Sequence, residues 1–333
     1  SSLKEPKKNY SWEKTHLSIN KLAIELKKYI KKGDRCLLIS ENRPEWFISD
    51  LSIMLSGAIT VPAYTTYAER DYEYIINDCT PTVIFVSNIE QFNKVKNIIK
   101  NIDFIKKVFS FDDLDNVNEN EYQSVGKLFS DLNNLKNLTT TEINRKDPAC
   151  IIYTSGTQGN PKGVILSHGG ILSNCEGAVE LLETLTKKKE PVFLTWLPLS
   201  HSYEHTVQFI QIIVGAKVFY AESLEKLISN MGVAKPTIMT AVPRFYQNLF
   251  TKINMNFDKQ IGLKKKLINR TLELGKKILK KEQLSLSEKI VNFLCEKLVR
   301  KKIRNQFGGN LQAFVSGGGA LDQNIGEFLN AIG

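Results

Sequence analysis

No apolar run in this sequence approaches the length of a membrane span. The longest, Ile53 to Tyr64 and Phe209 to Tyr220, are broken by Ser, Gly, Pro or Lys well short of the roughly 18 residues that a span needs. Cysteine is sparse: Cys36, Cys79, Cys150, Cys175 and Cys295 are far apart, with no CxxC spacing. Histidine is scarcer still, with four in the chain and no cluster near a cysteine. That pattern suggests neither a zinc site nor a disulfide framework. The start of the sequence shows no charged n-region, apolar core and small-residue cleavage site. The expectation is a soluble chain in a reducing cytoplasm. A hydrophobic content of 42% over 333 residues is enough for a substantial core, which argues against disorder.

A formal net charge of +10 raises the question of an anionic partner. Lys, Asn and Ile are used heavily along the whole chain, which reads as a coding bias rather than a designed patch. The local excess comprises Lys264, Lys265, Lys266, Arg270, Lys276, Lys277, Lys280 and Lys281, then Lys297, Arg300, Lys301, Lys302 and Arg304. Leucine and isoleucine interleave these at helical spacing, so most are expected on the solvated faces of two helices. No nucleic-acid partner is expected. A peripheral contact with the inner face of a membrane stays open.

Strand and helix patterns alternate from near the start. Ile19, Leu22, Ala23, Leu26 and Ile30 follow the 3.6-residue period, with Gly33 offered as the helix cap. Then come the strand-like RCLLIS, a helix opening on Pro44, the strand-like TVPAY, the helix-like AERDYEYIINDC and the strand-like TVIFVS. A polar interval follows, and ACIIYTS, PVFLTWLP, KVFYA, TIMTAVP and AFVSGGG read as further strands, with helices between them. Such alternation implies right-handed crossovers and an α/β fold with mainly parallel sheets between helices. We divide the chain into a first α/β subdomain (1–111), an irregular connector (112–147) and a second α/β subdomain (148–333). The second carries the basic helical insertion at about 260–307.

The stretch YTSGTQGNPKG, Tyr153 to Gly163, concentrates the chemistry. Only glycine freely adopts the conformations that turn several backbone N–H groups toward one anion, and Gly156, Gly159 and Gly163 supply that freedom. Thr154, Ser155 and Thr157 add hydroxyl donors, Gln158 an amide donor, and Lys162 a mobile positive charge. The loop is read as joining a strand to the helix HGGILSNCEGAVELLETL at the carboxyl edge of a sheet. It is not a Walker A loop, because Pro161 and Gly163 stand where that pattern needs Gly and Ser or Thr.

This stretch resembles the phosphate loop of the adenylate-forming enzymes, the superfamily of acyl-CoA synthetases, luciferases and peptide-synthetase adenylation domains. GDRCLLISENRPEWFISDLSIMLSGAITVPAY, LPLSHSYEH, AVPRFYQNLF and FVSGGGALDQNIGEFLNAIG are similar to segments of its long-chain fatty acid–CoA ligase branch, in the same order. The resemblance implies the large N-terminal domain of these enzymes and a two-step reaction. A fatty carboxylate attacks the α-phosphate of ATP to give an acyl-adenylate and pyrophosphate, and coenzyme A then displaces AMP. Mg²⁺ would accompany ATP, with its ligand glutamate beyond this chain, so no metal ligand is assigned here. Thr154, Ser155, Gly156, Thr157, Gln158, Gly159 and Lys162 would grip the phosphates. His201 would position the carboxylate, with Tyr203 and Glu204 beside the substrate and His205 in the same motif. Gly317, Gly318 and Gly319 would line the adenine. Arg244 is open between a structural ion-pair role and a direct one.

The resemblance also implies a chain truncated at both ends: YGxTE and TGD segments and a small C-terminal domain are absent. Residues 1–333 alone are therefore expected not to make acyl-CoA. Two alternatives remain open. One is a fatty acyl-AMP ligase that loads a carrier protein. The other is a non-catalytic nucleotide-binding relative, suggested by Gln158 where Thr or Ser is usual and by Gly319 and Ala320 where Ala and Pro are common.

Overall fold

The computed structural model describes residues 3–4, 9–118, 120–132, 141–154, 160–187 and 189–333. The chain divides into two compact units, Ser1–Leu181 with Pro198–Ile210, and Leu182–Leu197 with Gln211–Gly333.

The first unit is built on a seven-stranded sheet. Its elements in chain order are α1 (Trp12–Leu26), β1 (Arg35–Ile39), α2 (Pro44–Leu55), β2 (Ile59–Ala63), α3 (Glu69–Cys79), β3 (Val83–Val86) and α4 (Ile89–Ile99). There follow β4 (Lys107–Ser110), β5 (Gln123–Ser124), α5 (Val125–Leu128), β6 (Pro148–Thr154), β7 (Lys162–Ser167) and α6 (His168–Thr186). The strand order is β5-β4-β3-β1-β2-β6-β7. β1 and β3 are continuous apolar runs buried along almost their whole length, as strands covered on both faces must be. Leu37, Ile39, Ile84 and Val86 join Tyr72, Ile75 and Phe92 in one cluster, each such side chain contributing about 1.5–3 kcal/mol. Pro44 opens α2, where its missing N–H costs nothing, and ten of that helix's residues, Trp46 and Asp50 among them, are buried.

The second unit holds β8 (Val192–Thr195), β9 (Lys217–Tyr220), α8 (Leu227–Ala234), β10 (Ile238–Ala241), α9 (Pro243–Asp258), α10 (Gly262–Leu279) and α11 (Leu286–Cys295). A π-helical turn (Glu296–Arg300), then α12 (Lys301–Gln306), β11 (Ala313–Ser316) and α13 (Gln323–Ala331) complete it. The helix α7 (Ser202–Ile213) crosses from one unit to the other. The four-stranded sheet has the order β11-β10-β8-β9, and Tyr246, Ile325, Phe314 and Leu329 pack around the end of β10. Among the described residues every strand pairing is parallel except that of β6 with β7.

Four sequence expectations are corrected. The first helix ends at Leu26, because the Lys27 and Tyr29 N–H groups turn back onto Ala23 and Leu26; Ile30 lies beyond it. Gly33 (φ +86°) therefore belongs to the turn that feeds β1 rather than to a helix cap. The elements α4 and β4, unread in the sequence, add one more helix and strand before the connector. The segment after Thr154 leads to a strand rather than directly to a helix: KGVILS forms β7, antiparallel to β6 with Lys162 opposite Thr154 and Ser167 opposite Pro148. Finally, Arg300 is not on a solvated face. It is buried, and donates to the carbonyls of Ala331 and Thr271 and to Asn292 Oδ1.

All five cysteines are free and buried. Among the described residues no helix is long and apolar enough to cross a membrane.

Candidate functional site

In the first unit, the candidate residues gather at the carboxyl edge of the seven-stranded sheet. β2 ends at Ala63 and pairs in parallel with β6, which ends at Thr154. Thr154 and Lys162 face each other across the open end of the β6–β7 hairpin, and both are exposed. Ser155, Gly156, Thr157, Gln158 and Gly159 lie between them, outside the described residues.

Gly163 has a steric reason at this hairpin. A Cβ there would sit 2.8 Å from Ile151 Cγ2 and 3.3 Å from Tyr153 Cζ, so the Ile151 side chain first, and the Tyr153 ring beside it, occupy the space that a side chain would need. The Tyr153 hydroxyl donates to Asp78 at the end of α3. Burial pushes the phenol pKa up, and the Asp78 carboxylate adds to that shift.

The hairpin changes the electrostatics expected of the loop. Because β7 runs back to Pro148, α6 begins at the opposite, amino edge of the sheet, where the Gly169 N–H donates to Arg145 O and the Gly170 N–H to Ser167 Oγ. Its helix dipole is not directed at the loop, so charge there must come from Lys162 and nearby donors. Lys162 makes no ion pair with the described residues, which leaves its ammonium available to an anion.

The segment Pro198–His201 is tied to the same edge. The Leu199 N–H donates to Asn42 Oδ1 (3.0 Å), just after β1, and Ser200 Oγ donates to Ala63 O (3.1 Å) at the end of β2. His201 follows, exposed, at the entry to α7. Its Nδ1 accepts from the Tyr203 N–H (3.2 Å), which in the neutral ring leaves the proton on Nε2 as a donor. Tyr203 is half-buried, its phenol pushed up to about 12 by burial and by Glu204. Glu204 and His205 are buried. His205 Nε2 meets Asp50 Oδ2 at 2.7 Å, and its ring packs edge-on to Trp46 at 5.3 Å. Burial favours the neutral ring, but the charge and hydrogen bond of Asp50 outweigh it and raise the His205 pKa to about 10.

In the second unit, Gly317–Gly319 lie at the carboxyl end of β11. The Gly317 N–H donates to Ala241 O (3.1 Å), and Gly318 takes φ +74°, a conformation that side chains oppose. Ser316 and Leu321, on either side of the three glycines, line a cavity of about 380 Å³ with Tyr246, Phe314 and Leu329. Arg244 is exposed in the first turn of α9. Trp196 Nε1 donates to Thr240 O (2.8 Å), and its ring lies 5.2 Å from Phe245. The sequence reading did not single out Asn42, Ser200 or Asp50. Asn42 carried a signal, a strand-end asparagine before a Pro-initiated helix; Asp50 carried none. Among the described residues, no group of three or more His, Cys, Asp or Glu is placed to hold a metal ion.

These features define an α/β domain whose mainly parallel seven-stranded sheet carries the β6–β7 hairpin at its carboxyl edge. The chain belongs to the AMP-binding enzyme family, whose sequence pattern matches residues 2–333. It is 29% identical to long chain acyl-CoA synthetase 3 of Arabidopsis thaliana over 97% of this chain and 50% of that protein. It is 30% identical to fatty acyl-CoA synthetase A of Dictyostelium discoideum over 91% of this chain and 45% of that protein. It thus spans about half the length of these curated relatives. The N-terminal domain of FACL13 from Mycobacterium tuberculosis shares its fold at a TM-score of 0.66 and 18% identity, covering 98% of this chain and 68% of that one.

Proposed function

We propose that the whole protein containing this chain activates a fatty acid with ATP, forming an acyl-adenylate and then acyl-CoA. The observation that carries the reading is the β6–β7 hairpin, whose open end holds Thr154 and Lys162 beside the pinned Pro198–His201 segment. The names of the relatives support the choice of a long-chain acid and coenzyme A as substrates.

Lys162 suits the β- and γ-phosphates as a mobile charge, with Thr154 a hydroxyl donor beside it. Ser155–Gly159 would complete the grip, and Gly317–Gly319 would allow close approach of the adenine. Tyr203 and Glu204 would border the substrate. His201 Nε2–H is suited to hold the carboxylate as it meets the α-phosphate, a positioning task that lowers the entropic part of the barrier. Mg²⁺ would supply charge neutralisation on the phosphates. The five buried free thiols accord with a reducing, cytoplasmic setting.

The test is fatty-acid-dependent ATP–pyrophosphate exchange by the protein from the complete reading frame, over acids of increasing length. Exchange that rises with chain length supports the reading. ATP binding with no exchange for any acid would replace it with a nucleotide-binding role. Exchange without coenzyme A turnover, but with acyl transfer to a carrier protein, would replace only the second step.

A further inference from the structure

The outward face of α11 is apolar where a solvated helix would be polar. At about 100° per residue, Leu286, Ile290, Phe293 and Leu294 fall on one arc of α11, opposite the buried Cys295, and Leu298 follows in the π-helical turn. Their exposures are 80%, 67%, 56%, 45% and 49%. Two exposed lysines border the arc, Lys289 and, in the π-helical turn, Lys297, the latter with Nζ 4.5 Å from the Phe293 ring centre.

The acids of this region turn elsewhere. Glu288 pairs with Arg270 (3.1 Å) and Lys277 (2.8 Å) on α10, and also closes the capping box with Ser285. Glu296 pairs with Arg304 and lies 3.8 Å from Arg300. Residues 262–306 carry fourteen Lys or Arg against four Glu, and Lys301 and Lys302, exposed just beyond the arc, extend the positive charge.

We propose that this face of α11 docks on a membrane surface rich in anionic lipid, with the Leu, Ile and Phe side chains entering the headgroup boundary and the lysines meeting the phosphates. Charge complementarity selects this occupant. A second copy would bring the same lysines against one another, whereas an anionic surface satisfies both the apolar arc and its cationic border. The inference extends the proposed activation of a water-insoluble acid but rests on the helix face itself, and its test needs no turnover.

The experiment is co-flotation of the purified chain with phosphatidylcholine vesicles, with and without about 30% phosphatidylglycerol, in low and high salt. Expected are binding to the anionic vesicles alone and its weakening in high salt. Ile290→Ser with Phe293→Ser is expected to reduce binding about tenfold or more, and Lys289→Glu with Lys297→Glu several-fold, in variants whose circular dichroism and melting match the parent. Absence of binding, equal binding to neutral vesicles, or unchanged binding by both variants overturns the proposal. So does concentration-dependent self-association that the Ile290/Phe293 variant abolishes, which would assign the face to a second copy. In the complete protein, exchange with a short, water-soluble acid is expected to survive the Ile290/Phe293 change, so lost docking and lost activation are read separately.

Discussion

His205 Nε2 lies 2.7 Å from Asp50 Oδ2, joining the start of α7 to a helix 155 residues earlier in the chain. The pair is buried, and the Asp50 carboxylate holds the histidine pKa up against the effect of burial. With the folded pKa raised to about 10 against an unfolded value of about 6.5, its contribution is full below pH 6.5 and is lost as pH rises toward 10. Asp50→Asn is expected to lower stability by about 3–5 kcal/mol at pH 7, because it breaks a buried ion pair by removing one partner. Urea denaturation between pH 6 and 10 checks this: the parent loses stability across that range and the variant loses less. An equal slope in both proteins would remove the pair as the cause.

Lys162→Ala tests the hairpin as a phosphate site. The side chain is exposed and outside any ion pair with the described residues, so stability should change by no more than about 0.5 kcal/mol. Exchange in the complete protein should fall about 100-fold, the scale for losing one fixed transition-state donor. A normal rate would show that Lys162 is not on the phosphates.

Gly163→Val probes the steric reason for a glycine in β7. The new side chain would overlap the Ile151 side chain and crowd the Tyr153 ring that bonds Asp78, at a cost of about 1–3 kcal/mol. Chemical denaturation of Gly163→Val beside Tyr153→Phe distinguishes the two effects. If the Gly163→Val change were tolerated without loss, Ile151 and Tyr153 would not be filling that space.

Arg300 and Lys301 are adjacent basic residues with opposite expectations. Arg300→Ala orphans the buried carbonyls of Ala331 and Thr271 and should cost about 1–3 kcal/mol or more, while Lys301→Ala should stay within about 0.5 kcal/mol. Matching melting curves for the two variants would refute the buried role of Arg300.

That contrast shows where sequence reading stops. RCLLI and VIFV were legible as strands because a parallel sheet buried on both faces imposes unbroken apolar runs. KGVILS was not, because it runs without a turn into the next helix and its pairing with β6 is settled across a loop. The loop was singled out by residue types alone, a dense mixture of glycine, hydroxyl and lysine, and its residues 155–159 lie outside the described residues. Arg300 was hidden among lysines of identical charge, and only packing separates it from them. The partner of His205 was out of reach for the same reason: nothing local in DLSIML announces that Asp50 will face α7.

The burial of every thiol gives the molecule its own unfolding reporters. Cys36, Cys79, Cys150 and Cys175 belong to one unit and Cys295 to the other. Burial pushes the Cys36 thiol up, and that of Cys79 to about 12, so neither presents an accessible thiolate in the closed protein. An alkylating reagent can therefore mark only chains that have opened. Reading the mass of each labelled peptide over time would clock the opening of the two units separately, within one sample and without an added probe.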